Sequence, residues 1–132
     1  KTVLVCGGRD WPRTQEAHNF VMSALDRIFF SRGWYTEMDQ YGNWLPTVKI
    51  IAGEAKGIDQ EAIEYAIINW TDYQGFPADW KKYGRKAGPI RNQQMLDEGK
   101  PDLVIAFPGG KGTADMVRRA KKAGVEVIEI DR

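Results

Sequence analysis

The sequence contains only one cysteine and one histidine, and it has no long hydrophobic run. A lone Cys6 cannot form a disulfide within the chain, and this sparing use of cysteine is typical of a reducing compartment. One cysteine and one histidine (His18) cannot supply a Cys/His zinc site, so we expect no metal site. No run approaches the roughly 20 apolar residues of a membrane span, and no signal peptide is visible. We therefore expect a cytoplasmic protein without a membrane partner.

The chain also lacks a charge excess of either sign. Its 19 basic and 18 acidic residues leave a formal net charge of +1. This balance provides no general attraction to nucleic acid or to an anionic membrane, although a local basic cluster can still bind phosphate. The 132 residues, of which 42% are hydrophobic, are enough for one domain, 1–132, with its own core.

Short β-rich runs alternate with longer helical patterns along the chain. We predict strands at 2–6, 48–52, 74–78, 103–107 and 125–130, and helices at 14–30, 58–70, 89–98 and 112–123. This alternation predicts an α/β protein with a three-layer Rossmann-like fold, in which about five mainly parallel strands carry helices on both faces. In such sheets, ligands bind beyond the carboxyl ends of the strands, at the point where the strand order reverses.

The segment 32–47 interrupts the alternation, because it is too long for an ordinary connection. It holds Trp34, Tyr35, Tyr41 and Trp44 around a Tyr-Gly-Asn turn signal. One interpretation is a small hairpin or flap that packs its aromatic side chains on the domain. The other is a lid or a dimer contact, since exposed aromatic residues favour interfaces.

Three glycine-rich loops, 7–10, 53–59 and 108–113, follow predicted strands and should meet at one edge of a parallel sheet. Glycine lets the backbone approach a ligand closely, and the N–H groups that open the next helix attract an anion. The last loop, Pro-Gly-Gly-Lys-Gly-Thr, is the strongest candidate for a phosphate cradle. It is neither a Walker loop nor the dinucleotide fingerprint. The alternative for each loop is a simple tight turn.

A fourth candidate is the predicted start of the third helix, where Arg91 and Asn92 lie. An arginine in a first turn opposes the helix dipole, which indicates an anionic ligand, although a solvated surface arginine is the alternative. The basic run 81–86 suggests either a solvated loop or a surface that attracts anions, and the run 118–122 suggests a solvated helix face. Four carboxylates reach the same edge and are candidates for ribose binding, metal binding or base catalysis: Asp10, Glu54, Asp59 and Asp115.

Five ordered motifs, within 7–10, 53–59, 76–80, 87–95 and 106–116, resemble the SLOG superfamily, in particular its small bacterial and phage YspA-like domains. The resemblance covers nearly the whole chain except 32–47, and it extends to the DNA-processing DprA-type folds. It implies a Rossmann-like fold that binds nucleotides or nucleotide-derived ligands in a bacterial cell or a phage-infected host. In the related cytokinin-activating phosphoribohydrolases, an arginine and a glutamate act in catalysis. Arg91 matches the arginine, whereas Met116 occupies the position of the glutamate, next to Asp115.

Three functions follow as hypotheses. The first is binding or sensing of a phosphate-containing nucleotide or derivative, in a protein that needs no cofactor and forms a dimer or higher homo-oligomer. The predicted ligand-binding residues are Gly7, Gly8, Arg9, Asp10, Gly53, Glu54, Lys56, Gly57, Asp59, Trp80, Arg91, Asn92, Pro108, Gly109, Gly110, Lys111, Gly112 and Thr113. The second is hydrolysis of an N-glycosidic bond with Arg91, Asp115 and Glu54 as catalytic residues. The third, which the neutral charge disfavours, is a nucleic-acid-binding module that uses 81–86.

Overall fold

The centre of the protein is a five-stranded sheet in which every neighbouring pair of strands is parallel. The computed structural model describes all residues from Lys1 to Arg132. The chain has seven strands, which are β1 (Thr2–Cys6), β2 (Tyr35–Met38), β3 (Trp44–Pro46), β4 (Lys49–Gly53), β5 (Asp72–Phe76), β6 (Leu103–Ala106) and β7 (Glu126–Glu129). Of these, β2 and β3 form a separate pair outside this sheet. The sheet has the order β5-β4-β1-β6-β7, so the chain reverses direction across the sheet on either side of β1. That reversal is where an α/β sheet opens a crevice for a ligand.

Helices cover both faces of this sheet. They are α1 (Gln15–Ser31), α2 (Ile58–Ile68), α3 (Trp80–Tyr83), α4 (Ala87–Gly99) and α5 (Lys111–Lys122), with a single 3-10 turn over Gly84–Lys86. The Thr14 hydroxyl begins α1 by accepting the Ala17 N–H at 3.1 Å. None of the helices combines the length and the apolar character that a membrane crossing requires.

The strands alternate their side chains between two separate cores. Val3 and Val5 of β1 pack with α1 and α2, whereas Leu4 and Cys6 of the same strand pack with α4 and α5. Because both faces are covered, the central strands β1, β4 and β6 are apolar along nearly their whole length rather than on one face only. The predicted three-layer Rossmann-like fold is therefore confirmed.

The segment 32–47 forms a hairpin at the amino edge of the sheet. Strands β2 and β3 pair antiparallel, and the Asp39 carboxylate closes the turn by accepting the N–H groups of Tyr41 and Asn43. Trp34 packs on Phe29 near the end of α1, with ring centroids 6.0 Å apart. Helix α1 leaves the carboxyl end of β1 and runs back, so its last turn and the hairpin lie away from the carboxyl edge. The hairpin is confirmed, with Trp34 and Tyr35 packed on the domain, whereas Tyr41 and Trp44 are 80% and 58% exposed. The interpretation as a lid or a dimer contact stays a prediction.

Three other boundaries differ from the sequence prediction. The third strand of the sheet runs over Asp72–Phe76 rather than 74–78, because pairing with β4 sets its register at Lys49↔Asp72. The basic run 81–86 is helical rather than a loop, since Asp79 caps α3 by accepting the Lys82 N–H at 3.1 Å. Helix α4 begins at Ala87 rather than 89, which places Arg91 in its second turn. The helix-dipole argument for Arg91 is therefore wrong, and its role depends on its surroundings.

Candidate functional site

A cleft of about 810 Å³ opens at the carboxyl edge of the sheet, between the loop after β1 and the helices α4 and α5. We call it the carboxyl-edge cleft. The three glycine-rich loops meet there because parallel strands end on the same side. Of the predicted ligand-binding residues, it is lined by Gly7, Gly8, Arg9, Asp10, Gly53, Asp59, Trp80, Arg91, Asn92, Gly110, Lys111, Gly112 and Thr113.

The remaining predicted ligand-binding residues lie beside the carboxyl-edge cleft. Glu54 and Lys56 line a neighbouring side cleft of about 500 Å³, whose wall is shared through Arg9, Trp80 and Arg91. Gly57, Pro108 and Gly109 line neither cleft.

Those three residues instead hold the loops against each other. The Pro108 carbonyl accepts the Gly8 N–H at 2.9 Å. A Cβ on Gly109 would lie 2.8 Å from the Gly8 nitrogen and 2.2 Å from the Thr113 hydroxyl oxygen. Gly57 has a φ of +79°, and a Cβ there would lie 2.2 Å from the Gly8 carbonyl oxygen. The glycines therefore bring the backbones of the first, second and last loops together.

Arg91 is a half-buried cation that faces the carboxyl-edge cleft and forms no ion pair, although the charge of the nearby Asp59 acts on it. Its Nη1 donates to the Phe76 carbonyl and its Nε to the Asn92 side-chain oxygen, both at 3.2 Å. It takes part in none of the ion pairs of the structure, which join other residues. Burial lowers the pKa of Arg91, because desolvation disfavours the charged form. A partly desolvated guanidinium that forms no ion pair is stabilised by an anionic ligand.

Gly53, at the end of β4, makes room for Arg91. A Cβ on Gly53 would lie 2.2 Å from Arg91 Nη1 and 2.6 Å from Asp59 Oδ2. Both charged groups therefore occupy space that any other residue at this position would fill. The sequence predicted Gly53 as a loop glycine, but only the structure shows which side chains depend on it.

Asp59 is the buried carboxylate of the cleft. It lies in the first turn of α2, and its Oδ2 accepts the Ala55 N–H at 3.1 Å. Burial raises the pKa of Asp59, against the opposing effects of that hydrogen bond and of the Arg91 and Arg9 charges. A carboxyl group in this position can accept a ligand hydroxyl or carry a proton.

We expect Asp59→Asn to raise the melting temperature at pH 7. The folded chain binds the Asp59 proton more tightly than the unfolded chain, whose reference pKa is 3.8. Stability from this group is therefore fully present below pH 3.8 and is lost as the pH rises through the higher folded pKa. The difference in melting temperature between Asp59→Asn and the native chain should disappear near pH 3.5. The exposed Asp10→Asn variant is the control, and an equal gain from both would contradict the explanation.

The amino end of α5 presents unused backbone donors to the cleft. The N–H groups of Gly109 to Thr113 donate no hydrogen bond within the chain, and the Ala114 N–H, bonded to the Gly110 carbonyl, is the first in use. Gly110 caps the helix without a side-chain hydrogen bond. These donors and the positive end of the helix dipole favour an anion, so the phosphate cradle stays a prediction for this loop.

Arg9 and Trp80 form the wall between the two clefts. The Arg9 Cζ lies 5.1 Å from the centroid of the Trp80 ring, which is a cation–π distance. Trp80 remains 47% exposed, so part of its ring is free for another planar group. This pair offers a stacking surface beside the anion-attracting groups.

Asp115 is held by two arginines and one asparagine. Arg119 Nε donates to its Oδ2 at 2.8 Å, Asn92 Nδ2 donates to the same oxygen at 3.0 Å, and Arg118 pairs with Oδ1. Although burial opposes the shift, the hydrogen bonds from Arg119 and Asn92 lower the pKa of Asp115. Asp115 therefore ties α4 to α5. The predicted solvated face at 118–122 is wrong for Arg119, which is part of this network and also donates to Gln93.

Sequence reasoning missed several residues that line the carboxyl-edge cleft: Ala55, Arg85, Gly88, Pro89, Met95, Ala114 and Arg118. Arg85 and Arg118 lay in basic runs and Ala55 lay in the second glycine-rich loop, whereas the others face the cleft only because α4 and α5 pack side by side. Met116, which the resemblance aligns with the phosphoribohydrolase glutamate, also borders the cleft, but it is 1% exposed and packs in the core.

A second polar cluster lies between α1 and α2, away from the cleft. His18 Nδ1 lies 2.6 Å from Glu61 Oε2, and these groups together with Glu64 could hold a metal ion. Arg13 already pairs with both glutamates at 3.0 Å. The acidic partner of His18 was not visible in the sequence because it is 43 residues away.

Comparison with known proteins finds a relative of similar length in a phage. No protein-family model matches the chain. The "Gene 61 protein" of Mycobacterium phage D29 is 32% identical over 138 residues, and the alignment covers 97% of this chain and 94% of that protein. Because the similarity spans the sheet, the helices and the cleft loops, the chain belongs to the same family as the Gene 61 protein of phage D29.

Proposed function

We propose that the chain binds a phosphate-containing nucleotide or nucleotide-derived ligand in the carboxyl-edge cleft. The observation that carries this proposal is Arg91, a half-buried guanidinium that forms no ion pair and faces the same cleft as the free N–H groups of Gly110 to Thr113. A buried charge is costly unless it is paired, and a phosphate group supplies the missing partner.

The other lining residues suit the remaining parts of such a ligand. Lys111 adds a cation at the start of α5, and Asp10 and Asp59 offer carboxylates to ribose hydroxyls. The exposed part of the Trp80 ring offers a stacking surface for a base. The resemblance to the SLOG superfamily supports the same ligand class, and we propose membership of that superfamily.

The geometry favours binding over hydrolysis of an N-glycosidic bond. Asp115, one of the two candidate carboxylates, is neutralised by Arg118 and Arg119. The other, Glu54, lines the side cleft rather than the carboxyl-edge cleft. Release of free base from AMP, lost in Arg91→Ala, would instead favour the hydrolase.

A thermal-shift panel tests the proposal. We expect AMP, ADP-ribose, NAD or a cyclic nucleotide to raise the melting temperature, since a ligand at 100 times its Kd stabilises by about 2.7 kcal/mol, or roughly 10 °C for a chain of this size. Adenosine, which lacks phosphate, is the control. The proposal would be abandoned if no phosphate-containing member shifted melting at millimolar concentration, or if adenosine shifted it equally.

A further inference from the structure

Strand β5 forms one outer edge of the sheet, and the residues just before and within it expose apolar side chains. Ile67, Ile68, Trp70 and Tyr73 are 57%, 59%, 86% and 48% exposed. All four residues lie within seven consecutive positions, from the end of α2 into β5, so they share one region of the surface. We call them the apolar edge patch.

Trp70 is the most unusual member of this patch. Its φ is +57°, in the left-handed region that favours glycine, and yet a bulky side chain stands there almost fully exposed. The backbone conformation itself belongs to the end of α2, where the Trp70 and Thr71 N–H groups donate to the Ile67 and Ala66 carbonyls at 3.4 and 3.0 Å. The exposed indole ring, however, gains little packing within the monomer. A contact outside the monomer would account for the residue.

The two edges of the sheet differ in a way that points to pairing at β5. The opposite edge, β7, carries Glu126 and Glu129, which form ion pairs with Arg32 and Lys121. Charged side chains on an edge strand discourage pairing with another strand. Strand β5 carries one charged residue, Asp72, at its beginning, and no lysine or proline. No strand pairs with β5 on its outer side, although the Phe76 carbonyl accepts Arg91 Nη1.

We propose that the occupant of this edge is a second copy of the chain, whose β5 pairs antiparallel with the first. Pairing centred on Gln74 places Tyr73 opposite Gly75, Asp72 opposite Phe76 and Trp70 opposite Ala78 of the second copy. Tyr73 of the second copy then lies beside the Glu54 side chain, which covers Gly75, and no charged residue meets a like charge. The same segment serves both copies, as a two-fold interface requires.

The area is sufficient for a stable dimer. The exposed parts of the four side chains amount to roughly 500 Å², given about 150–250 Å² for each whole aromatic side chain. A stable dimer buries about 800 Å² on each partner. The β5 backbone and the exposed Pro77 next to it provide the remainder.

This arrangement also bears on the side cleft. Ala78 lines that cleft together with Pro77 and Trp80. The Trp70 side chain of the second copy therefore approaches the rim of the side cleft, and each copy completes the surface of the other at this point.

The substitution Trp70→Gly tests the dimer without harming the fold. It removes the side chain and relieves the left-handed backbone at the same position. We expect light scattering with size-exclusion chromatography to give twice 15.0 kDa for the native chain and 15.0 kDa for the variant. The dimer dissociation constant should rise at least about 30-fold, as for a tryptophan that is buried at an interface. At protein concentrations below the dissociation constant, the melting temperature of the variant should equal or exceed that of the native monomer.

Lys100→Gly is the matched control, because Lys100 has a φ of +48° outside the patch and should keep the dimer. Tyr73→Lys, which places a charge on the edge strand, should give a monomer. A native chain of 15.0 kDa at about 200 µM would overturn the proposal, since standard interfaces assemble well below that concentration. A dimeric Trp70→Gly variant, or one that melts well below the native monomer, would also overturn it.

Discussion

Arg91→Ala is expected to lower the affinity for a phosphate-bearing nucleotide on the order of 100-fold, because a charge-assisted hydrogen bond in a partly desolvated site contributes about 1.5–3 kcal/mol. Calorimetric titration with the strongest ligand of the thermal-shift panel measures this loss. The melting temperature should not fall in parallel, since Arg91 forms no ion pair and is desolvated in the folded chain. Affinity and stability should therefore separate in this variant.

Arg118→Ala is the matched control for that loss. Arg118 lines the same cleft and carries the same charge, but it is 69% exposed and pairs with Asp115. We expect a change in affinity of a few-fold at most, because an exposed and already paired cation contributes little. Equal losses in the two variants would indicate general charge attraction rather than a site at Arg91.

Gly53→Ala tests whether the affinity depends on the position of the Arg91 guanidinium. The added methyl group would lie 2.2 Å from Arg91 Nη1, so the guanidinium must move away from its place beside Asp59. The Gly53 backbone is in an ordinary strand conformation, and the fold should therefore survive. A loss of affinity close to that of Arg91→Ala would show that the position of the guanidinium matters as well as its charge.

Gly57→Ala is expected to lower the free energy of unfolding by about 4 kcal/mol, which corresponds to roughly 15 °C in melting temperature for a chain of this size. Two costs combine at this position. The φ of +79° is a conformation that residues with a Cβ rarely adopt, and the Cβ would lie 2.2 Å from the Gly8 carbonyl oxygen. That oxygen accepts the Ile58 N–H at 3.2 Å, so the strain would reach the start of α2. Urea unfolding followed by circular dichroism measures the change.

Gly42→Ala separates the two costs. Gly42 has a similar φ of +86°, but nothing lies within 4 Å of the place its Cβ would take. We expect this control to cost only about 1 kcal/mol, the penalty of the backbone conformation alone. Similar losses in both variants would mean that the contact between the first and second loops contributes little to stability.

Local sequence patterns predicted most of this fold because local physics decides those features. The apolar run 2–6 reads as a strand covered on both faces, and the glycines after the strands mark the turns into helices. The strand at 74–78 was displaced by two residues because its register depends on pairing with β4, a partner that is distant in the sequence. The helical turns at 80–86 were missed because they depend on a single side-chain cap, Asp79.

Some features of the candidate site could also be predicted from the sequence, and others could not. That the three glycine-rich loops would meet at one edge followed from the parallel order of the strands, and most of the predicted residues do line the carboxyl-edge cleft. The sequence did not show which of the charged residues would be paired in the fold. Arg91 was chosen on a helix-dipole argument that the observed start of α4 removes, and it matters instead because no acid pairs with it.

Asp115 is the reverse case, since its place in the sequence suggested catalysis and its partners assign it to packing. Arg118 and Arg119 are near neighbours on the same helix, but Asn92 comes from α4. By itself, the sequence determined the α/β class, the strand-end loops and the concentration of glycine and positive charge within them. Only the tertiary structure decided which of those charges are paired and which face open space. Pairing depends on distances of about 3 Å between side chains from separate elements, and local sequence patterns do not encode such distances.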